Sequence, residues 1–252
     1  MGSEMCIRDR CIPLLQNFDL HTALMQYQEY YDWIPAYGIH YALGIDGIAL
    51  VMIMLTTFTG FVVVLSGCAT TKLHQAQYMS TFLVMQSMLV GVFAARDAAL
   101  FYVFWEGMLI PMYLNIGMWG SEARVPAAIK FFLYMFFGSV IMLVALIYLA
   151  SITGSWAIED FYKLHLTASQ QYWLFLAFFM AFAVKAPMLP LHTWLPDVHT
   201  AAPAGGSVVL AALMLKLGVY LILRLSLPIV PLACHDFAWL MVFLSLLAIV
   251  YI

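Results

Sequence analysis

From Leu43 to Ile252 the chain is a succession of apolar runs joined by short polar stretches. A helix that crosses the hydrocarbon core of a bilayer needs about 20 mainly apolar residues. The runs are Leu43–Gly67, Tyr78–Ala95, Ala98–Trp119, Pro126–Ala150, Gln171 to Pro187 and Gly205–Leu225. A last one opens near Phe237 and is still apolar at Ile252. In lipid every backbone polar group must be satisfied within its own segment, so each run reads as a helix. The expected fold is all-α: a polytopic integral membrane protein with about seven transmembrane helices, one of them broken by proline.

Composition agrees. Hydrophobic residues make up 65% of the chain and charged residues 9%, against roughly 25% charged in a soluble domain. The net charge is −3 and there is no Lys/Arg-rich run, which argues against a nucleic-acid partner. Cys6, Cys11, Cys68 and Cys234 lack metal-ligand spacing and read as inert thiols. Haem-attachment, P-loop and dinucleotide fingerprints are missing as well. No metal, bound cofactor or catalytic redox group is expected in this chain.

Residues 1–12 are polar, without the apolar run of a signal peptide, and read as a non-native scar. Residues 13–43 carry Asp19, Glu29 and Asp32, with Tyr27, Tyr30, Tyr31, Trp33 and Tyr37 clustered around Pro35. Tyr and Trp collect at headgroup level, so this segment reads as interfacial. Residues 44–252 form the membrane domain. Its start and its apolar stop lead to the expectation that the natural gene extends beyond both ends. The stretch 151–170, with Glu159, Asp160 and Lys163, is too polar to cross. Lys72, Arg124 and Lys130 fall on one side and Arg96, Lys163 and Arg224 on the other. With three cations on each side, the positive-inside rule assigns no orientation.

Three charges sit where charges are expensive: Glu106 inside the third run, Lys185 deep in the fifth, Lys216 within the sixth. Each costs roughly 2.5–3.5 kcal/mol at a helix centre on insertion scales. They are expected to face one another or a wet cavity. Glu106 and Lys185 can be read as a static pair, since charges about 4 Å apart gain roughly 4 kcal/mol at an effective dielectric near 20. That reading leaves Lys216 unexplained, because a second intramembrane lysine needs another acid, water or neutrality. Proton relay accounts for all three.

The fifth run also breaks. Lys185-Ala-Pro187-Met-Leu-Pro190-Leu-His192-Thr-Trp-Leu-Pro196 packs three prolines into a short stretch. Proline cannot donate the helical hydrogen bond, so carbonyls near Ala183 and Ala186 should be freed. Broken helices are tolerated at membrane depth where they line a cavity, and transporters build ion sites there. The bland alternative is a helix end and a turn. His192 reads either as a relay member or as an ordinary interfacial histidine. The aromatic and Met residues of the third run read as packing groups. Gly205-Gly206-Ser207 should permit close helix packing.

These segments resemble a known family. Phe104-Trp105-Glu106-Gly-Met-Leu-Ile-Pro111-Met-Tyr113, Lys185 through His199, and Ala202-Pro203 through Lys216 to Tyr220 are similar to the subunit M family (subunit 4 in mitochondria). These are antiporter-like membrane subunits of proton-translocating NADH–quinone oxidoreductase, respiratory complex I. Trp33-Ile-Pro35 through Asp46-Gly47 shares the resemblance, which covers residues 30–252. It implies half of an inverted-repeat antiporter-like fold. The family places two further helices before residue 40 and continues into a second repeat. It implies that Glu106 and Lys185 pair, and that Lys216 is the central relay residue, reached through water from Lys185 and His192. NADH, flavin, iron–sulfur clusters and quinone would belong to other subunits. The implied partners are neighbouring antiporter-like subunits, lipid, protons and water. The implied location is a bacterial inner membrane, or alternatively the mitochondrial one. Mrp-type monovalent cation/proton antiporter subunits are also similar. A helical anchor without transport activity is the remaining rival.

Overall fold

A computed structural model describes residues 13–19, 21, 22, 24–71 and 74–251. The 1–12 segment, with Cys6 and Cys11, and also Lys72 lie outside the described residues. Helices dominate, as the apolar runs require. Five of them are long and apolar enough to cross a membrane among the described residues. They are α1 (Gly47–Thr70), α2 (Gln75–Ala94), α3 (Ala98–Trp119), α4 (Arg124–Thr153) and α8 (Ala204–Ile229). The expected seven include two weaker members. Helix α6 (Ala168–Lys185) is diluted by Gln170, Gln171 and Lys185, and α10 (Ala238–Tyr251) has 14 residues. Short helices α5 (Ile158–Phe161), α7 (Trp194–Ala201) and α9 (Pro231–Asp236) lie between them.

The interfacial segment holds what the sequence reading did not anticipate. Strands β1 (Gln26–Ile34) and β2 (Ile39–Ile45) pair antiparallel, with Tyr31 opposite Tyr41 and Asp32 opposite His40. Tyr and Trp favour strands as well as headgroups, so their clustering could not separate the two. The turn uses Pro35 and Gly38, whose φ of 65° is the left-handed conformation that glycine adopts freely. Trp156 Nε1 donates to Tyr37 O at 3.1 Å and holds the turn on the bundle.

Local chemistry fixes the helix ends. Asp46 caps α1 by accepting from Ala49 N at 2.8 Å. Asp97 caps α3 by accepting from Ala99 N and Leu100 N. A Thr167/Gln170 capping box starts α6. Helix α3 is interrupted at Met108. Pro111 explains it: a proline ring clashes with the carbonyl four residues back, here Gly107. Glu106 therefore lies at the edge of a local break.

Helix α4 packs on α3, α6 and α7, while α8 packs on α1 and α6. Phe101, Trp105, Phe131, Phe178 and Trp194 are fully buried between them. The expected close approach at Gly205 and Gly206 is present. A Cβ on Gly205 would stand 2.6 Å from Tyr78 Oη, and one on Gly206 2.9 Å from Asn115 Oδ1.

Candidate functional site

Helix α6 stops at Lys185 because its hydrogen-bond ladder runs out of donors. Ala186 N reaches Phe182 O at 2.7 Å, but Pro187 has no N–H for Ala183 O. Met188 N takes that carbonyl instead, at 2.9 Å. Val184 O, which Met188 would have served in a continuous helix, accepts from the buried indole Nε1 of Trp194 at 3.0 Å. The expectation of free carbonyls at Ala183 and Ala186 is thus corrected at Ala183. The group that needs a side-chain donor is Val184. The restarted helix α7 is anchored by Lys130, whose Nζ donates to Thr193 O at 2.9 Å and to Asp197 Oδ2 at 2.6 Å. Trp194→Phe should keep the packing and orphan the Val184 carbonyl, at a cost of about 1–3 kcal/mol. Thermal unfolding of the purified assembly checks this, and an unchanged midpoint would show that the indole bond contributes nothing.

Glu106 and Lys185 come together, but not as a closed pair. Lys185 is 2% exposed. Neither its Nζ nor Glu106 Oε1 has a hydrogen-bond partner among the described residues, although both atoms are buried. Each feels the other's charge without touching it. The ammonium instead stands 4.7 Å from the centroid of the Trp105 ring. Ser139 on α4 neighbours both Glu106 and Tyr102. The sequence reading treated Trp105 as a packing group. It is packed, 1% exposed, and its ring also faces the lysine charge. Only its position next to Glu106 hinted at this.

Lys216 does not join them. Its side chain lies on an exposed face of α8, and its Nζ donates to Ala211 O at 2.5 Å. Of the two arrangements expected for the three charges, facing one another holds for Glu106 and Lys185 but does not extend to Lys216 among the described residues. Two residues on, Gly218 meets the break: a Cβ there would stand 3.2 Å from both Ala186 Cβ and Phe182 Cδ2. Two residues rotate a helix by about 200°, so Lys216 projects away from that contact. Residues Leu210–Met214 just before it are π-helical, a distortion frequent at functional sites. His192 lies in the turn between α6 and α7, with Nδ1 buried and unpartnered among the described residues. Its ring contacts Tyr251 at 5.3 Å.

A second buried charge pair was missed. Arg224, read from sequence as a loop cation, lies near the end of α8, and its Nη1 meets Asp46 Oδ2 at 2.5 Å. Their side chains are only 11% and 19% exposed. On the same side Arg96 donates from Nε and Nη2 to Glu159 Oε1, at 3.0 and 2.7 Å. Burial there pushes the Asp97 carboxyl above its ordinary value, against the pull of backbone N–H groups of Leu100, His40 and Ala99. Among the described residues, no group of three or more His, Cys, Asp or Glu is placed to hold a metal ion.

The family described as NADH:quinone oxidoreductase/Mrp antiporter, transmembrane, matches residues 95–252, which include Glu106, Lys185, His192 and Lys216. The chain belongs to this family. Similar relatives include NADH-quinone oxidoreductase subunit M of Rickettsia prowazekii, 43% identical over 95% of this chain and 49% of the relative. The Rhodobacter capsulatus subunit M is 45% identical over 94% of this chain and 48% of its own. NADH-ubiquinone oxidoreductase chain 4 of Marchantia polymorpha is 41% identical over 93% and 48%. The chain thus spans about half the length of the curated relatives it matches. Among solved structures, a chain of Thermus thermophilus respiratory complex I with bound NADH matches with a TM-score of 0.85 at 30% identity. That match covers 97% of this chain and 52% of that one. The Mrp complex of Dietzia sp. matches at 0.77 and 21% identity, over 91% and 26%, a likeness of fold.

Proposed function

We propose that this chain is part of a membrane subunit of NADH–quinone oxidoreductase. It moves protons across the membrane, driven by NADH oxidation and quinone reduction in other subunits. One observation carries the reading: a buried lysine and a buried carboxylate oxygen, both without hydrogen bonds among the described residues, lie within reach of each other's charge where a membrane helix breaks. A static pair has every reason to close, because unsatisfied buried charges are costly. An open one can change partner and protonation. Glu106 sets the field at Lys185, while Lys185 and His192 hand protons through water toward Lys216. Pro187 and Pro190 hold the break open. Lys216, on its outward face, meets water or an acid outside the described bundle rather than lipid, where its charge is expensive.

Residues 44–252 are the proton-translocating domain, and 13–43 lie along the membrane surface. Neighbouring antiporter-like subunits are the partners, in a bacterial inner membrane or its mitochondrial counterpart. The redox cofactors belong to other subunits. The names of the relatives favour this over a cation/proton antiporter, for which the support is the shared family and the likeness of fold.

Glu106→Gln tests it in the assembled complex. Charges roughly 4–8 Å apart couple by about 2–4 kcal/mol at an effective dielectric near 20, and Glu106→Gln removes one of the two charges that interact here. NADH-driven proton uptake into vesicles and the coupled quinone-reductase rate should both fall at least about tenfold, as 1.36 kcal/mol is a factor of ten in rate. Electron transfer from NADH to a soluble acceptor should survive. A Gln variant that assembles and pumps at the wild-type rate and ratio refutes the reading.

A further inference from the structure

The Trp105 ring offers Lys185 a second resting place. Its fully buried indole faces the ammonium at 4.7 Å, inside the range over which a ring quadrupole attracts a cation, and Trp is the strongest of the aromatic partners. The ring is itself held, with the Phe101 ring 5.4 Å away at 35°. Glu106 is the next residue on the same helix, about 100° further round. Lys185 ends its own helix immediately before the proline break.

We propose that Trp105 is a positioning residue for Lys185, holding the ammonium off Glu106 by cation–π attraction. This rests on the relay reading above and deepens it. The carboxylate and the ring compete for one ammonium, and the ring's share is what makes the open arrangement accessible. Without it, Lys185 collapses onto Glu106 and the site behaves as the static pair that it is not in this structure. The ring serves this purpose better than a hydrogen-bond acceptor would. It attracts the charged lysine, offers no lone pair that must be satisfied when the lysine is neutral, and accepts no proton itself.

The test grades the ring's attraction without altering its shape. Tryptophan analogues bearing one to four fluorines on the benzo ring are inserted at position 105 of the subunit in the assembled complex. Each fluorine withdraws electron density from the face. NADH-driven proton uptake and the coupled quinone-reductase rate should fall monotonically with fluorine number, by about tenfold at the most fluorinated analogue. NADH oxidation by a soluble acceptor should stay constant, and Trp105→Phe should fall within the series. A rate independent of fluorine number would make Trp105 a packing residue and overturn the proposal. Glu106→Gln measured in the same preparation separates the two readings. If it slows pumping while the fluorine series is flat, only the role of Trp105 fails; if it pumps normally, the relay reading fails and takes this proposal with it.

Discussion

Lys216→Ala in the assembled complex is expected to cut NADH-driven proton uptake and coupled quinone reduction by about a hundredfold. That is the low end of what a positioned proton-transfer group contributes. Among the described residues the Lys216 side chain fills no core space, and its Nζ donates to the Ala211 carbonyl of its own helix. Removing an intramembrane charge also favours insertion. Loss of pumping with normal assembly therefore reports on proton transfer rather than folding. A purely structural bundle predicts the opposite pattern, with Lys216→Ala silent and Glu106→Gln lowering assembly. The measurements are proton uptake per NADH in reconstituted vesicles, both electron-transfer assays, and the yield of assembled complex. If Lys216→Ala assembles and pumps at the wild-type ratio and rate, the relay assignment is wrong.

The largest expected effect on stability lies elsewhere, at Asp46 and Arg224. Asp46→Ala removes the charge that Arg224 Nη1 meets at 2.5 Å, and leaves a guanidinium whose side chain is only 11% exposed. Breaking a buried pair by deleting one partner costs about 3–5 kcal/mol, because the remaining charge stays desolvated. The same substitution removes the side-chain acceptor for Ala49 N at the start of α1, adding about 0.5–2 kcal/mol. Asp46→Asn separates the contributions, as it keeps an N-cap oxygen and loses the charge. The double change Asp46→Asn with Arg224→Met should recover much of the loss, since no uncompensated charge is left buried. Thermal unfolding and assembly yield read all three. Equal loss in the single and double variants would mean that the pair is not what stabilises this corner.

Much of this architecture is written in short stretches of sequence. The spans could be read because lipid admits few backbone solutions, and apolar length alone selects the helix. The break after Lys185 could be read because Pro187 and Pro190 lack N–H donors whatever surrounds them. Glu106, Lys185 and Lys216 stood out for the same local reason, each being a charge inside an apolar run. The hairpin at Gln26–Ile45 was harder, because its aromatic residues satisfy a strand and a headgroup layer equally well.

Which charge meets which was decided by tertiary structure alone. Asp46 and Arg224 are 178 residues apart, and nothing in the sequence around either marks the other as its partner. Trp105 and Glu106 are adjacent in sequence and indistinguishable as neighbours of Lys185. Only the tertiary packing that brings Lys185 to Trp105 puts the ammonium over the ring and, among the described residues, leaves the carboxylate oxygen Oε1 unpartnered. Lys216 points outward because Gly218 makes the contact with the helix break. The residues and their costs follow from covalent chemistry and the solvent. Partnership depends on helix rotation and depth, which are set by packing among side chains far apart in the chain.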